Sequence, residues 1–526
     1  MCHAAAMLDL AGGSTHAAPG AACGTLRKKQ NRDWQLAIHM LRDTLPTSVD
    51  QKMHSKAIIS CASSSQWQPA LKVLAEIIEA RIVPDVYSFS AAIAACKGGL
   101  KWQLALELLL QMSLMYTAPN EFSWNAAISA CEKTGQWEMA VVLLTSMSVE
   151  PDTISYNAGM SACEKCGQWQ TALCLFSQIR VAELQPSTIS VNACISACEK
   201  GGNWQMALHL VSRMPAMAVA PDTVSFNAGM SACEKESEWQ MALQLMSEML
   251  RAKVLPNTIS FNASISACEK SGEWQSAIAL LSESLISQVL PDTITFNAIM
   301  SACAQGAEWR RAIYFLSRMP LVKAMPDKIS YNAGMSACEK AGRWQMASFL
   351  LCEMLSIQIS PGTISFNAVI SACEKCGEWQ MAMQLLSQMP AVDVAPSTIS
   401  FSAVISACEK AGNWQTALRL FAQMSAARVG LDTIACSAGI SACEKGSEWP
   451  VALLLFSAMP TARTEPNVIS LNAAISACDG TWHMATHLLS QMPTFTLSPN
   501  EISFTAAVSA CKSASQVSIT TPANDS

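Results

Sequence analysis

The sequence predicts an all-α solenoid, a right-handed superhelix of stacked helix-turn-helix repeats. Two observations predict it. First, Trp239, Trp274, Trp309, Trp344, Trp379, Trp414 and Trp449 stand one after another at a period of 35 residues. Second, within a single copy such as 223–257, two apolar stripes of helical period are separated by a short turn. A fixed period of this size marks a stack of one supersecondary unit, whose neighbours share a continuous core. That overrides the three or four ordinary domains that 526 residues would otherwise suggest.

Taken in order, residues 1–33 read as a leader, disordered or targeting. They are rich in Ala and Gly and end on Arg27, Lys28 and Lys29, without the arginine-rich amphipathic character of a strong transit peptide. An array of about 13 repeats with degenerate ends follows over 34–511, beginning with a worn copy around Trp34. The readable copies lie at 51–85, 86–120, 121–152, 153–187, 188–222, 223–257, 258–292, 293–327, 328–362, 363–397, 398–432, 433–467 and 468–500. The copy at 121–152 has lost three residues between Met147 and Pro151, and that at 468–500 two near Gly480. Both gaps fall in connecting segments. A half copy starts at Glu501, and 512–526 reads as a disordered polar tail.

Each copy begins after a capping residue, as at Asp222, whose side chain can accept from the free N–H groups of a helix start. Phe226, Met230 and Cys233 then trace one face of the first helix. Turns such as Lys165-Cys-Gly-Gln168 interrupt the pattern. In the second helix Trp239, Ala242, Leu243, Met246 and Met249 trace another stripe. Proline stops several second helices, as at Pro215, Pro320, Pro390, Pro460 and Pro493. The tryptophans and most of the 29 methionines read as packing residues between repeats.

Half of the residues are hydrophobic and 14% are charged, with a net charge of −6. That balance disfavours a simple electrostatic nucleic-acid binder, so any such function needs locally placed positive charge. No run of 18 apolar residues suggests a membrane span. Fourteen of the 22 cysteines recur once per repeat at one phase, which reads as a small buried thiol in a reducing compartment. Cys163–Cys166 and Cys373–Cys376 have CxxC spacing but no second ligand pair. No metal or cofactor is expected. Nor is a catalytic set: paired carboxylates, a Ser/His/Asp group and a phosphate loop are all missing.

The first helix carries a second, non-core stripe. Residues two, five, nine and thirteen of each repeat share a face, for example Ile154, Asn157, Ser161 and Lys165, or Ile189, Asn192, Ser196 and Lys200. Asparagine is a mediocre helix former, so propensity does not explain it there. Stacking would align an apolar surface, an amide or hydroxyl and a lysine at every step. Single-stranded nucleic acid has the matching flat faces, polar edges and regular charge.

The pattern TISYNAxxSACEKxGxWQxALxLLxxM…PD resembles the pentatricopeptide repeat (PPR) family, of the plain 35-residue kind, over roughly 51–511. The resemblance implies sequence-specific single-stranded RNA binding, one base per repeat. It also implies work in organellar RNA processing, stability or translation, with a processing or translation protein as a further partner. In the family the second residue sandwiches bases, which implies that role for Ile154, Ile189, Val224, Ile259, Ile294, Ile329, Ile364 and Ile399. The thirteenth residue lies near phosphates, implying Lys133, Lys165, Lys200, Lys235, Lys270, Lys340, Lys375, Lys410 and Lys445.

The fifth residue and the last residue of the repeat read the base edge in that family. The implied pairs begin with Ser55–Asp85, Ser90–Asn120, Asn125–Asp152, Asn157–Ser187, Asn192–Asp222, Asn227–Asn257 and Asn262–Asp292. They continue with Asn297–Asp327, Asn332–Gly362, Asn367–Ser397, Ser402–Asp432, Ser437–Asn467 and Asn472–Asn500. The family's pairing rules then imply an RNA near 5′-GAUCUCUU?CGAC-3′, its ninth base open because Gly362 has no side chain. Capping alone, or an amide ladder between repeats, would also select Asp, Asn and Ser at these places.

The rival reading is a helical-repeat scaffold that binds proteins or peptides, of the tetratricopeptide kind. Its period is 34 and its groove varies; here the period is 35 and the stripe is monotonous. The family resemblance points to a mitochondrion or chloroplast, with the cytoplasm as the other compartment considered, and to any catalysis residing in a partner.

Overall fold

The computed structural model describes residues 51–520, apart from 81–82, 428, 461–463, 479–480 and 493–496. The leader at 1–33, the worn copy around Trp34, the shortened turn at Gly480 and the last six residues lie outside the described residues. Among the described residues are 27 α-helices and no strand, arranged as thirteen pairs and a closing helix. Contacts divide the chain into two compact halves, 1–267 and 268–526, and the division falls within the helix Thr258–Ser271. Within each half, the first helices other than Thr258–Ser271 pack on their own second helices and on the first helices of adjacent repeats.

A first helix starts where its cap is built. At Thr223–Lys235, Asp222 sits in extended backbone and its Oδ1 accepts from the Ser225 N–H at 2.9 Å. The hydroxyl of Ser225 accepts in return from the Asp222 N–H at 3.2 Å. Two of the unbonded helix-start donors are thereby satisfied by one reciprocal motif. Several of these helices end on a glycine in left-handed backbone; Gly377, at φ +74°, ends Thr363–Cys376.

Proline sets the length of the second helix. Trp169–Val181, Trp239–Arg251, Trp274–Ile286 and Trp344–Ser356 run for 13 residues. Trp204–Arg213, Trp309–Arg318 and Trp379–Gln388 stop at ten, and a proline then leads a short 3₁₀ turn. The missing N–H of proline removes a helical bond, so the chain tightens instead of continuing. The three-residue deletion at 121–152 falls in the loop after Trp137–Ser146, as expected.

The core follows the expected faces with one shift. Phe226, Met230 and Cys233 are buried. In the second helix the buried set is Ala242, Leu245, Met246 and Met249, while Leu243 is only half-buried. Trp239 is half-buried too, because the tryptophans lie at the edge of the stack. There they pack across repeats: a Cβ built on Gly201 would lie 2.5 Å from Trp169 Cδ1, and one on Gly306 would lie 2.4 Å from Trp274 Cδ1. The indole of one repeat thus lies under the first-helix end of the next.

The repeated cysteines are buried thiols. Burial pushes Cys233 and Cys373 up to about 12, so they stay protonated as small apolar residues. The two CxxC pairs do not converge. Cys163 and Cys373 are buried, whereas the exposed Cys166 and Cys376 donate to the Gly135 and Gly342 carbonyls at 3.1 Å. The closing helix Glu501–Thr520 runs past Lys512, where the sequence analysis begins a disordered tail. Its residues 512–520 contain no glycine or proline to end it.

Candidate nucleic-acid interface

The second residue of each repeat stands outside the core on the first helix. Ile154, Ile189, Val224, Ile259, Ile294, Ile329, Ile364 and Ile399 are each 56–70% exposed, and Ile434 and Ile469 continue the series. A folded surface rarely places large apolar residues at one phase repeat after repeat without a ligand for them. In each half the sequence-predicted sandwich residues are free to meet one.

One turn further along the same helix, the fifth residue meets the last residue of its repeat. Asn192 Nδ2 donates to Asp222 Oδ1 at 3.1 Å, Asn125 to Asp152 at 3.2 Å and Asn297 to Asp327 at 3.2 Å. Asn157–Ser187, Asn227–Asn257, Asn367–Ser397 and Asn472–Asn500 pair the same way at 3.3–3.4 Å. The structure therefore brings each of these predicted pairs together. Asn262 and Asp292 fall in different halves, Asp292 there capping Thr293–Gln305.

A third residue completes the arrangement, one with no role assigned from the sequence. The serine at the third place of the next repeat is buried and donates to the asparagine carbonyl: Ser225 to Asn192 at 2.5 Å, Ser190 to Asn157 and Ser330 to Asn297 at 2.6 Å. Asparagine, unit-end residue and serine thus close a small ring between adjacent repeats. The signal was in plain sight, a Ser or Thr at the third place from Ser88 to Ser503, replaced only by Ala435. Both structural explanations of the pattern, capping and an inter-repeat ladder, are realised. In the rings just described, the second amide hydrogen of the asparagine and further lone pairs on the unit-end residue are left for a ligand.

Hydrogen bonding favours the charged form at three unit-end carboxylates, Asp152, Asp222 and Asp327. At Asp222 burial acts upward, but hydrogen bonds from the Ser225 N–H and the Asn192 amide outweigh it and hold the group below its ordinary range. Asp152 and Asp327 are lowered by the same balance.

Repeats with serine at the fifth place differ. Ser402 donates to its own helix, to the Thr398 carbonyl at 2.6 Å, while Asp432 lies 3.0 Å away. Ser90 and Ser437 likewise turn back to Val86 and Thr433. A serine has one proton, so the helix carbonyl takes it, and the shorter side chain leaves more space beside the unit-end residue.

The lysine row is not a row of free charges. Lys200 bonds Glu164 at 3.0 Å, Lys235 bonds Glu199 at 3.2 Å, and Lys410 bonds Glu374 at 3.3 Å. Lys165, Lys375 and Lys445 reach the carbonyl and carboxylate of Glu132, Glu339 and Glu409 in the same way. The partner belongs to the preceding repeat, not to the glutamate next in sequence. Lys340 departs, because Ala304 replaces the glutamate at the matching place.

Models of repeat families recognise this pattern directly. The PPR repeat family matches 221–270 and 361–410, the pentatricopeptide repeat domain 175–236 and 279–341, and the PPR repeat 122–150, 154–183, 329–359 and 399–429. Together they cover more than half of the chain.

The chain belongs to the pentatricopeptide repeat family.

Among solved structures, this PPR protein is similar to the pentatricopeptide repeat protein PPR10 from maize, at 18% identity and a TM-score of 0.54. The alignment covers 95% of this chain and 88% of that one. A second structure, PPR10 in complex with an 18-nt psaJ RNA element, aligns at 19% identity over 94% of this chain and 82% of that chain, with a TM-score of 0.44. The first likeness shows the fold. No curated protein matches at the sequence level.

Proposed function

We propose that this PPR protein binds single-stranded RNA, each repeat taking one base. The observation that carries the reading is the side-by-side placement, repeat after repeat, of an exposed isoleucine or valine and a preorganised amide–carboxylate or amide–hydroxyl pair. The apolar residue offers a face for a base, and the pair offers an N–H donor and oxygen acceptors to its edge. Asparagine rings present both and suit the edge of a pyrimidine, which carries both in turn. Serine repeats have more room and suit a purine. The centre of the site is then the pyrimidine run UCUCUU. The repeats supply recognition, and any RNA cleavage or translational effect comes from a partner in a mitochondrion or chloroplast.

Recoding one pair tests this. Asn297→Ser changes the pair with Asp327 from one predicted to read U to one predicted to read G. The variant should bind the U-to-G oligonucleotide about tenfold better than the original, with each discriminating contact contributing about 1–3 kcal/mol. Equal binding of both RNAs by both proteins would reject base reading. The scaffold reading would gain if neither RNA bound at low salt.

A further inference from the structure

The ninth repeat, 328–362, lacks the unit-end side chain, and something else fills its place. A Cβ built on Gly362 would lie 2.6 Å from Lys328 Nζ and 2.9 Å from its Cε. Lys328 is the first residue of the same repeat, where threonine stands in most of the others. That position regularly borders the start of the next repeat: the Thr293 and Thr398 hydroxyls reach the Met325 and Gly430 carbonyls at 3.5 Å, just before the next cap. A lysine there is long enough to go further, and it ends in the volume left by glycine.

Lys328 also begins one helical turn before Asn332, on the same face. The Asn332 carbonyl is held at 2.6 Å by Ser365, which in turn accepts from the Gly362 N–H at 3.1 Å. Two sides of the ring therefore survive while the third is replaced. Lys328 is exposed, and among the described residues no carboxylate lies within ion-pair distance of it. It differs in this from the lysines of the thirteenth-place row that are tied to glutamates.

We propose that Lys328 is the base-specificity residue of the ninth repeat and that it selects guanine. This rests on the RNA-binding reading above. Elsewhere the unit-end residue brings oxygen acceptors to the base. Here an ammonium group brings only donors, beside the remaining amide hydrogens of Asn332. Two neighbouring donors call for two neighbouring acceptors, and a cation favours the edge that is most negative. Guanine O6 and N7 provide both and are the usual partners of lysine in base readout. Adenine and uracil each turn an N–H toward one of these donors, and cytosine, whose N3 and O2 also accept, sets its N4 amine beside them, whereas the O6–N7 edge of guanine holds no donor. Glycine is part of the device, since a side chain at 362 would occupy the same volume.

The test uses the full chain and four RNAs, 5′-GAUCUCUUNCGAC-3′ with N each base in turn, measured by fluorescence anisotropy over a salt series. The expected result is about tenfold tighter binding for N = G, the low end of what one good base contact discriminates. Lys328→Thr installs the residue of the other repeats, so folding is preserved, and it should abolish the preference. K328T with Gly362→Asp rebuilds an ordinary asparagine–aspartate repeat and should move the preference to U. Binding by all four RNAs with no preference, or preference for another base, overturns the proposal while leaving RNA binding intact. An equal loss for all four RNAs in K328T, with a salt slope smaller by about 0.7, makes Lys328 a phosphate contact and also overturns it. If none of the four binds, the failure belongs to the RNA-binding reading itself.

Discussion

Replacing Ser225 with alanine tests the ring between repeats. The buried hydroxyl donates to Asn192 Oδ1 at 2.5 Å and accepts from the Asp222 N–H at 3.2 Å. Alanine leaves both groups without those partners in a largely dry interface, while the Asp222 cap on the 225 N–H survives. Leaving a buried polar group unpaired costs about 1–3 kcal/mol, and loss of half a capping box about 1 kcal/mol. Because Asn192 and Asp222 are only partly buried, the net loss is placed at about 1–2 kcal/mol. Urea unfolding should report it, and hydrogen exchange should speed up about 5- to 30-fold in the peptide containing the Asp222 N–H. Ser247→Ala is the control, since its exposed hydroxyl bonds only the Gln244 carbonyl on its own helix. It should stay within about 0.5 kcal/mol. Wild-type exchange at Asp222 together with an unchanged unfolding midpoint in S225A would refute the reasoning.

Three further outcomes follow from the same geometry. Ile189→Asp and Val224→Asp should leave thermal unfolding nearly unchanged, since both sites are exposed. Each should weaken RNA binding about tenfold by removing an apolar contact of about 1 kcal/mol and adding a negative charge, read by anisotropy. Glu374→Gln should release Lys410 and steepen the log–log salt dependence of binding by up to about 0.7. With nine free lysines the wild-type slope would approach about −6, and with at least six tied to glutamates it should be shallower than about −3. Asp152, Asp222 and Asp327 have folded pKa values below the unfolded one, so their stabilisation is complete above about pH 4 and is lost as pH falls through the folded values. D222N keeps a cap of the Asn257 kind and should flatten the acid limb of the Tm–pH profile.

The repeat, its two helices and the exposed stripe were legible in the sequence because they depend on spacing within one copy. Ile189 and Asn192 share a face by helical geometry alone. The role of Ser225 was not legible, since its partner Asn192 lies 33 residues earlier and only stacking brings them together. The glutamate partners of the lysine row were hidden for a related reason. Glu164 and Lys165 are neighbours in sequence but point about 100° apart on a helix, so the lysine that meets Glu164 is Lys200 of the next repeat. Leu243 and Leu245 show how far a stripe can be misassigned when both neighbours are apolar. Gly362 looked like a repeat with nothing to read with. Stacking of the next repeat puts Lys328 in the gap.

The central claim is that each repeat reads one base through its fifth and last residues. Selection from random single-stranded RNA on the purified protein tests it most directly, repeated with Asn297→Ser. The account predicts enrichment of a pyrimidine-centred site whose eighth base alone changes from U to G in the variant. Enrichment of the same site by both proteins, or no enrichment at low salt, would contradict it.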